Sequence, residues 1–240
     1  MPVRRTLAVG FLLASSLLAL VGCTVGGSVA ESTTPSPAPA RTTPEPTSVD
    51  PVPAVDPLDV VVALVARPTA LELRASDASV VDQIDYLGSA ADAVATLTAL
   101  FGTDPIDESY AATNHAPAGI RHVWGTLTID ERLYDEAMRA EKGLAGSLVW
   151  PNVAVYFDAA DNGEIALSTV QGYAAGDDWA TVSAAADVVA NPSGCTGPAA
   201  ELGDDPVEDT QVAVVLSHED GGDAVLSVAA PVPFYTDGCV

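Results

Sequence analysis

Basic residues are scarce in this chain of 240 residues. Nine Lys/Arg stand against 33 Asp/Glu, a formal net charge of −24 at pH 7, and Lys142 is the single lysine. That balance argues against nucleic acid as a partner and against a domain lying on anionic lipid, both of which need clustered cations. Aromatic residues make up only 5%. There are three cysteines and no Cys-x-x-Cys spacing, which disfavours a redox dithiol or a zinc pair. The chain has no Gly-x-Ser-x-Gly elbow, no Ser-x-x-Lys, no His-Glu-x-x-His and no Gly-rich phosphate loop. His115, His122 and His218 lie far apart. No catalytic residue, metal site or cofactor is read from these residues.

What is present begins with a secretory pattern. Arg4 and Arg5 precede an uncharged apolar run, Thr6 to Val21, long for a signal and short for a membrane span. The run closes on Leu20-Val21-Gly22-Cys23, a small residue directly before a cysteine. This order reads as a bacterial lipobox: cleavage after Gly22, a diacylglyceryl group on Cys23, and anchoring to the outer face of the cell membrane. Two acyl chains suffice for stable anchoring where one is marginal. Residues 1–22 hold two of the nine basic residues and no acidic ones, so the net charge from Cys23 onward is −26.

Residues 24–57 are rich in Thr, Ser, Pro and Ala, with eight prolines between 35 and 57. Such a stretch buries no core and reads as a semi-extended polyproline II tether of at most about 100 Å. It would hold an acidic domain away from an acidic membrane, and its Thr/Pro density permits O-glycosylation. Cys195 and Cys239 remain, and in an oxidising compartment a disulfide is the default. It would close a loop of about 45 residues, worth about 4 kcal/mol in the chain-entropy model.

The 48% apolar content supports a packed domain over 58–240. Val60 to Ala66 is a continuous apolar run, and two alternating stretches follow, 71–74 and 80–87. Ser89 and Asp92 form a capping-box start to a helix with Val94, Leu97, Leu100 and Phe101 on one face, stopped at Gly102. Residues 103–120 read as polar and irregular. His122 to Ile129 reads as one strand with Val123, Leu127 and Ile129 toward the core. A short exposed helix is expected within 130–142. Val153, Val155 and Phe157 alternate, Asp161-Asn162-Gly163 turns, and Ile165, Leu167 and Thr169 return. Gly176-Asp177-Asp178 caps a second helix with Trp179, Val182, Ala186 and Val189 on one face, ended by Pro192. A last hairpin pairs Val212 to Leu216 with Ala224 to Ala230. The expected class is α+β: an antiparallel sheet with two main helices packed on one face, in which hairpin, glycine and capped helix occur at 70–102 and again at 153–192.

The order Trp124-Gly125, Leu127, then Val153-Ala154-Val155-Tyr156-Phe157-Asp158, then Leu167-Ser168-Thr169, Gly172 and Gly176-Asp177, closing on a cysteine, resembles a family of uncharacterised secreted and lipid-anchored actinobacterial proteins. Alanine-rich, lysine-poor, acidic usage fits the same source. The layout is loosely similar to the β-lactamase inhibitor protein and to small outer-membrane assembly lipoproteins. The resemblance implies binding more than catalysis and transfers no catalytic residue. The segment 130–147 departs from the inhibitor-like layout.

Candidate binding residues are His122, Trp124 and Thr126, which with Thr128 share the non-core face of the expected strand. A second buried layer and a shallow binding face both account for them. Two acidic sets offer oxygens to Ca²⁺: Asp158, Asp161, Asn162 and Glu164, and Asp204, Asp205, Glu208 and Asp209. Neither follows the EF-hand order, and turn and surface acids are the simpler reading. The preferred function is non-enzymatic binding of an envelope protein or a small extracellular ligand, through an open sheet face or the 103–120 loop. The alternative is an extracytoplasmic hydrolase using paired carboxylates, such as Asp107 or Glu108 with a distant acid.

Overall fold

Alternation of apolar and polar residues drives the described part of this chain into twelve strands. In the computed structural model, residues 56–113, 117–134, 151–194, 196–204 and 211–236 are described, all within the unit spanning 52–240. A 3-10 turn, Pro57–Val60, leads into β1 (Val61–Ala66), β2 (Ala70–Ala75) and β3 (Val80–Asp85). Next come α1 (Ala90–Phe101), β4 (Ile106–Tyr110), β5 (Ala118–Trp124) and β6 (Leu127–Leu133). After them lie β7 (Val153–Phe157), β8 (Asp161–Asn162), β9 (Ile165–Thr169), α2 (Trp179–Ser183), β10 (Ala199–Asp204), β11 (Gln211–Ser217) and β12 (Ser227–Phe234).

The strands form two sheets. One has the order β3-β2-β1-β9-β8, the other β10-β11-β12-β7-β6-β5-β4. Leu64, Leu71 and Leu73 of the first sheet pack in one apolar cluster with Ile129, Val155, Phe157, Leu216 and Val228 of the second. Each such side chain, taken fully out of water, stabilises by about 1.5–3 kcal/mol. At one corner Arg67 bridges the sheets. Its guanidinium donates to Glu201 of β10 at 2.8 and 2.9 Å and to Glu72 of β2 at 2.7 Å, and Arg74 continues the chain to Glu72. At another, the Val153 amide donates to the Tyr86 carbonyl, and Asn152 Nδ2 donates to the carbonyls of Leu87 and Gly88.

Helix α1 matches its sequence signals. The Asp92 amide donates to Ser89 Oγ, and the helix ends at Gly102 with φ +66°, the left-handed cap that favours glycine. Ala90, Ala93 and Leu97 are buried in the shared core.

Sheets dominate, and four expectations are corrected. The second helix is a five-residue turn capped by Asp178, and Val189 leaves it to bridge Ala199; the run of Ala and Val beyond Ser183 has little helical reinforcement once that backbone pairing competes. The tandem layout does not hold, because β7 and β9 belong to different sheets and β9 pairs with β1 in parallel. Residues 130–133 continue β6, held in register between β5 and β7, and are not helical. Residues 106–110, read as irregular, and 199–204, to which no strand was assigned, are strands at the two edges of the larger sheet. Their composition is polar because little of β4 is buried. Cys23, Cys195 and Cys239 lie outside the described residues, as do 135–150 and Asp205 to Asp209.

Candidate functional site

Trp124 and Leu127 are register partners flanking the turn Gly125-Thr126. His122 to Ile129 is therefore a hairpin, and the two positions share a face. That face is the core: Trp124 is 4% exposed, lies 6.1 Å from the Phe101 ring, and donates its indole N–H to the Thr103 carbonyl. His122, 6% exposed, is on the same side, paired in register with Ile129. Thr126 sits in the turn, where its hydroxyl donates to the Asp161 carbonyl. The three residues thus line no open face. The turn inverts the alternation assumed for a single strand, which is why the sequence pattern misplaced them.

His122 nevertheless holds a polar arrangement at the margin of the core. Its Nδ1 lies 2.7 Å from Asp107 of β4 and its Nε2 3.2 Å from Glu131 of β6. Only the doubly protonated ring donates to both. Asp107 thereby holds the ring through Oδ1 while its own side chain stays 60% exposed, and Glu108, its strand neighbour, is the register partner of Arg121 on the other face. Of the carboxylates considered for a hydrolase, Asp107 meets a distant acid, Glu131, only across the His122 ring, and Glu108 lies on the opposite face.

On that other face Tyr110 lies across Gly119, its register partner. The Tyr110 hydroxyl donates to Asp130 at 2.8 Å, and Arg121 stands over the ring at 5.3 Å. Burial, then the bond to Asp130, holds the Tyr110 phenol well above its ordinary range.

The described residues enclose one more feature of functional interest, a cleft of about 390 Å³ between the end of β7, the loop before α2 and the β11–β12 connection. Its floor is small and apolar: Ala159, Ala175, Gly176, Ala224 and Val225, with Leu226 beside it. Asp158, Glu219 and Asp223 contribute carboxylates. Five backbone donors of its walls are spent within the fold. The amides of Asp158, Gly176, Gly222, Val225 and Leu226 donate to the carbonyls of Thr126, Val225, Glu219, Asp177 and Ser217. The wall is fixed from behind by the Trp179 amide, which donates to the Asp223 carbonyl, and by the Trp179 indole, stacked on His218 at 3.9 Å and 12°. Asp178 accepts from the Thr181 hydroxyl and amide, which lowers its carboxyl below the ordinary range and pins the start of α2.

Sequence reasoning singled out Asp158 as an acid of interest but did not link it to Glu219 and Asp223, which lie about sixty residues further on. Of the proposed Ca²⁺ ligands, Asp158 faces the cleft while Asn162 accepts from the Thr126 amide. Among the described residues no group of three or more His, Cys, Asp or Glu is arranged to hold a metal ion. No family model, no curated protein and no solved structure matches this chain.

Proposed function

We propose that this protein is a lipid-anchored envelope protein whose domain binds a small organic cation in the cleft behind β7. The observation that carries the ligand class is chemical. The cleft combines an apolar floor with side chains that only accept, and its backbone donors named above are already used. No Lys or Arg follows Lys142, so the elements building the cleft supply no side-chain cation to neutralise it apart from an ionised histidine. An ammonium group with a short alkyl body satisfies both surfaces, because it donates or presents positive charge at the rim and covers Leu226 and the floor. A bare divalent metal is less suited, since it needs several converging oxygens.

The location rests on the sequence. Cys23 would be lipidated and residues 24–57 would space the domain from the membrane. The Cys195–Cys239 bond would secure the C-terminus. An envelope protein partner remains compatible with this arrangement.

The test is thermal melting with an alkyltrimethylammonium series, matched chloride salts serving as controls. A saturable rise is expected, reaching about 2.7 kcal/mol of added stability at a hundredfold excess over Kd, and falling at least fivefold in affinity in Glu219→Gln and Asp223→Asn. A shift that merely follows ionic strength, or one unchanged in both variants, overturns the reading.

A further inference from the structure

The two sheets have four edge strands, and three of them are blunted in ways that discourage pairing with another chain. β8 is two residues long. β3 and β10 each carry a register shift against their neighbour, between Leu73 and Arg74 of β2 in the first case and between Ala199 and Glu201 in the second. The start of β10 is also covered, because Val189 and Ala199 exchange both backbone hydrogen bonds at 2.8 Å. β4 is different. It pairs with β5 in unbroken register from Ile106↔Val123 to Tyr110↔Gly119, with no proline, glycine or bulge. Its first four residues are exposed, Ile106 by 70%. Its far side pairs with no strand among the described residues.

Among the described residues charge is what guards this edge, Asp107 staying 60% exposed beyond its contact with His122. Asp107 and Glu108 stand at its centre, one toward each face, with Asp104 just before it. Charge is a selective guard. A second copy of this chain, adding its own β4, would bring Asp107 and Glu108 beside the same pair, and like charges opposed across strands are destabilising. A segment of opposite charge meets no such penalty. Because side chains alternate, it needs consecutive basic residues to meet the two acids on their separate faces, and a β-branched neighbour to cover Ile106. Arg121 does not supply that charge, since its guanidinium is drawn over the Tyr110 ring.

We infer that β4 is a strand-addition site for an extended, basic segment of a partner protein. Backbone pairing along the edge supplies affinity, and Asp107 and Glu108 select the charge. The site is separate from the cleft, and neither reading depends on the other.

The full chain in detergent is titrated with the capped peptide Thr-Val-Lys-Arg-Val-Thr while backbone amide exchange is followed. Saturable binding with at least tenfold slower exchange within 106–110 is expected. The same peptide with Glu-Asp at its centre should bind at least tenfold more weakly. Two peptides N-methylated on alternate amides, one in each phase, keep the charge, and at least one of them should lose tenfold. Absence of protection at 106–110 overturns the inference. So does binding of both methylated peptides as tight as that of the parent peptide, which would mean charge attraction without pairing. Protection of 106–110 that grows with protein concentration in the absence of peptide would make a second copy the occupant and also defeats it.

Discussion

Tyr86 carries a polar group deep into the core. It is 1% exposed and packs in the core shared by both sheets; its hydroxyl makes no well-aligned hydrogen bond among the described residues, the Arg67 backbone amide acting on it only as a weak donor. Burial pushes its phenol well above the ordinary value. The folded form therefore holds its proton where the unfolded chain, titrating near pH 10, has lost it. This contribution to stability is fully present below about pH 10 and is lost as pH rises beyond it. Tyr86→Phe removes a weakly bonded group at nearly constant shape. It should be neutral or stabilising by about 1 kcal/mol at pH 7, and denaturant unfolding should show a shallower loss above pH 10. A clear destabilisation at pH 7 would reveal a partner for the hydroxyl. Sequence alternation already placed Ile84 and Tyr86 on one face, but that the phenol end would be enclosed depended on the second sheet closing over it.

At the scale of elements, the β4–β5 pair depends on one close approach. A Cβ at Gly119 would fall on the Tyr110 ring and within 2.5 Å of the Glu131 carbonyl oxygen. Gly119→Ala should displace Tyr110 from Asp130 and cost about 1–3 kcal/mol by overpacking, read as a lower urea midpoint at unchanged m-value. The tyrosine should then ionise at lower pH, followed at 295 nm, because both its burial and its bond to Asp130 would be lost. Helix α1 was legible because its signals are local: a serine cap, a helical apolar stripe and a terminal glycine within fourteen residues. Helix α2 was overestimated because its continuation competes with Val189 pairing to Ala199, a contact that no local window contains. β4 and β10 were missed for a related reason. An edge strand is paired on one side only, so an apolar alternation is not required of it.

For the molecule as a whole, the proposed anchor is the feature that sets where the domain works. Cys23→Ser should move the protein from the membrane to the soluble or secreted fraction, with intact mass lacking the acyl chains, while leaving the domain's melting temperature unchanged. Retention in the membrane by the variant would count against lipidation. The strong acidity acts at this scale too: it opposes self-association and adsorption to anionic lipid, so a tethered domain stays accessible to ligands.

The sequence alone determined what depends on composition and short range. It set the acidic charge, the Leu20-Val21-Gly22-Cys23 order on which the proposed anchor rests, the Pro-rich stretch, helix α1, and the strands where apolar residues alternate or run together. The tertiary structure decided which strands share a sheet, that β1 and β9 run in parallel, and that the Gly125-Thr126 turn folds Trp124 and His122 toward the core. It also brought Asp158, Glu219 and Asp223 around one cleft and left β4 as the regular open edge. The physical reason is the same in each case. Turn geometry and long-range pairing fix which face of a strand is buried and which distant acids become neighbours, and both are settled by packing between segments tens of residues apart.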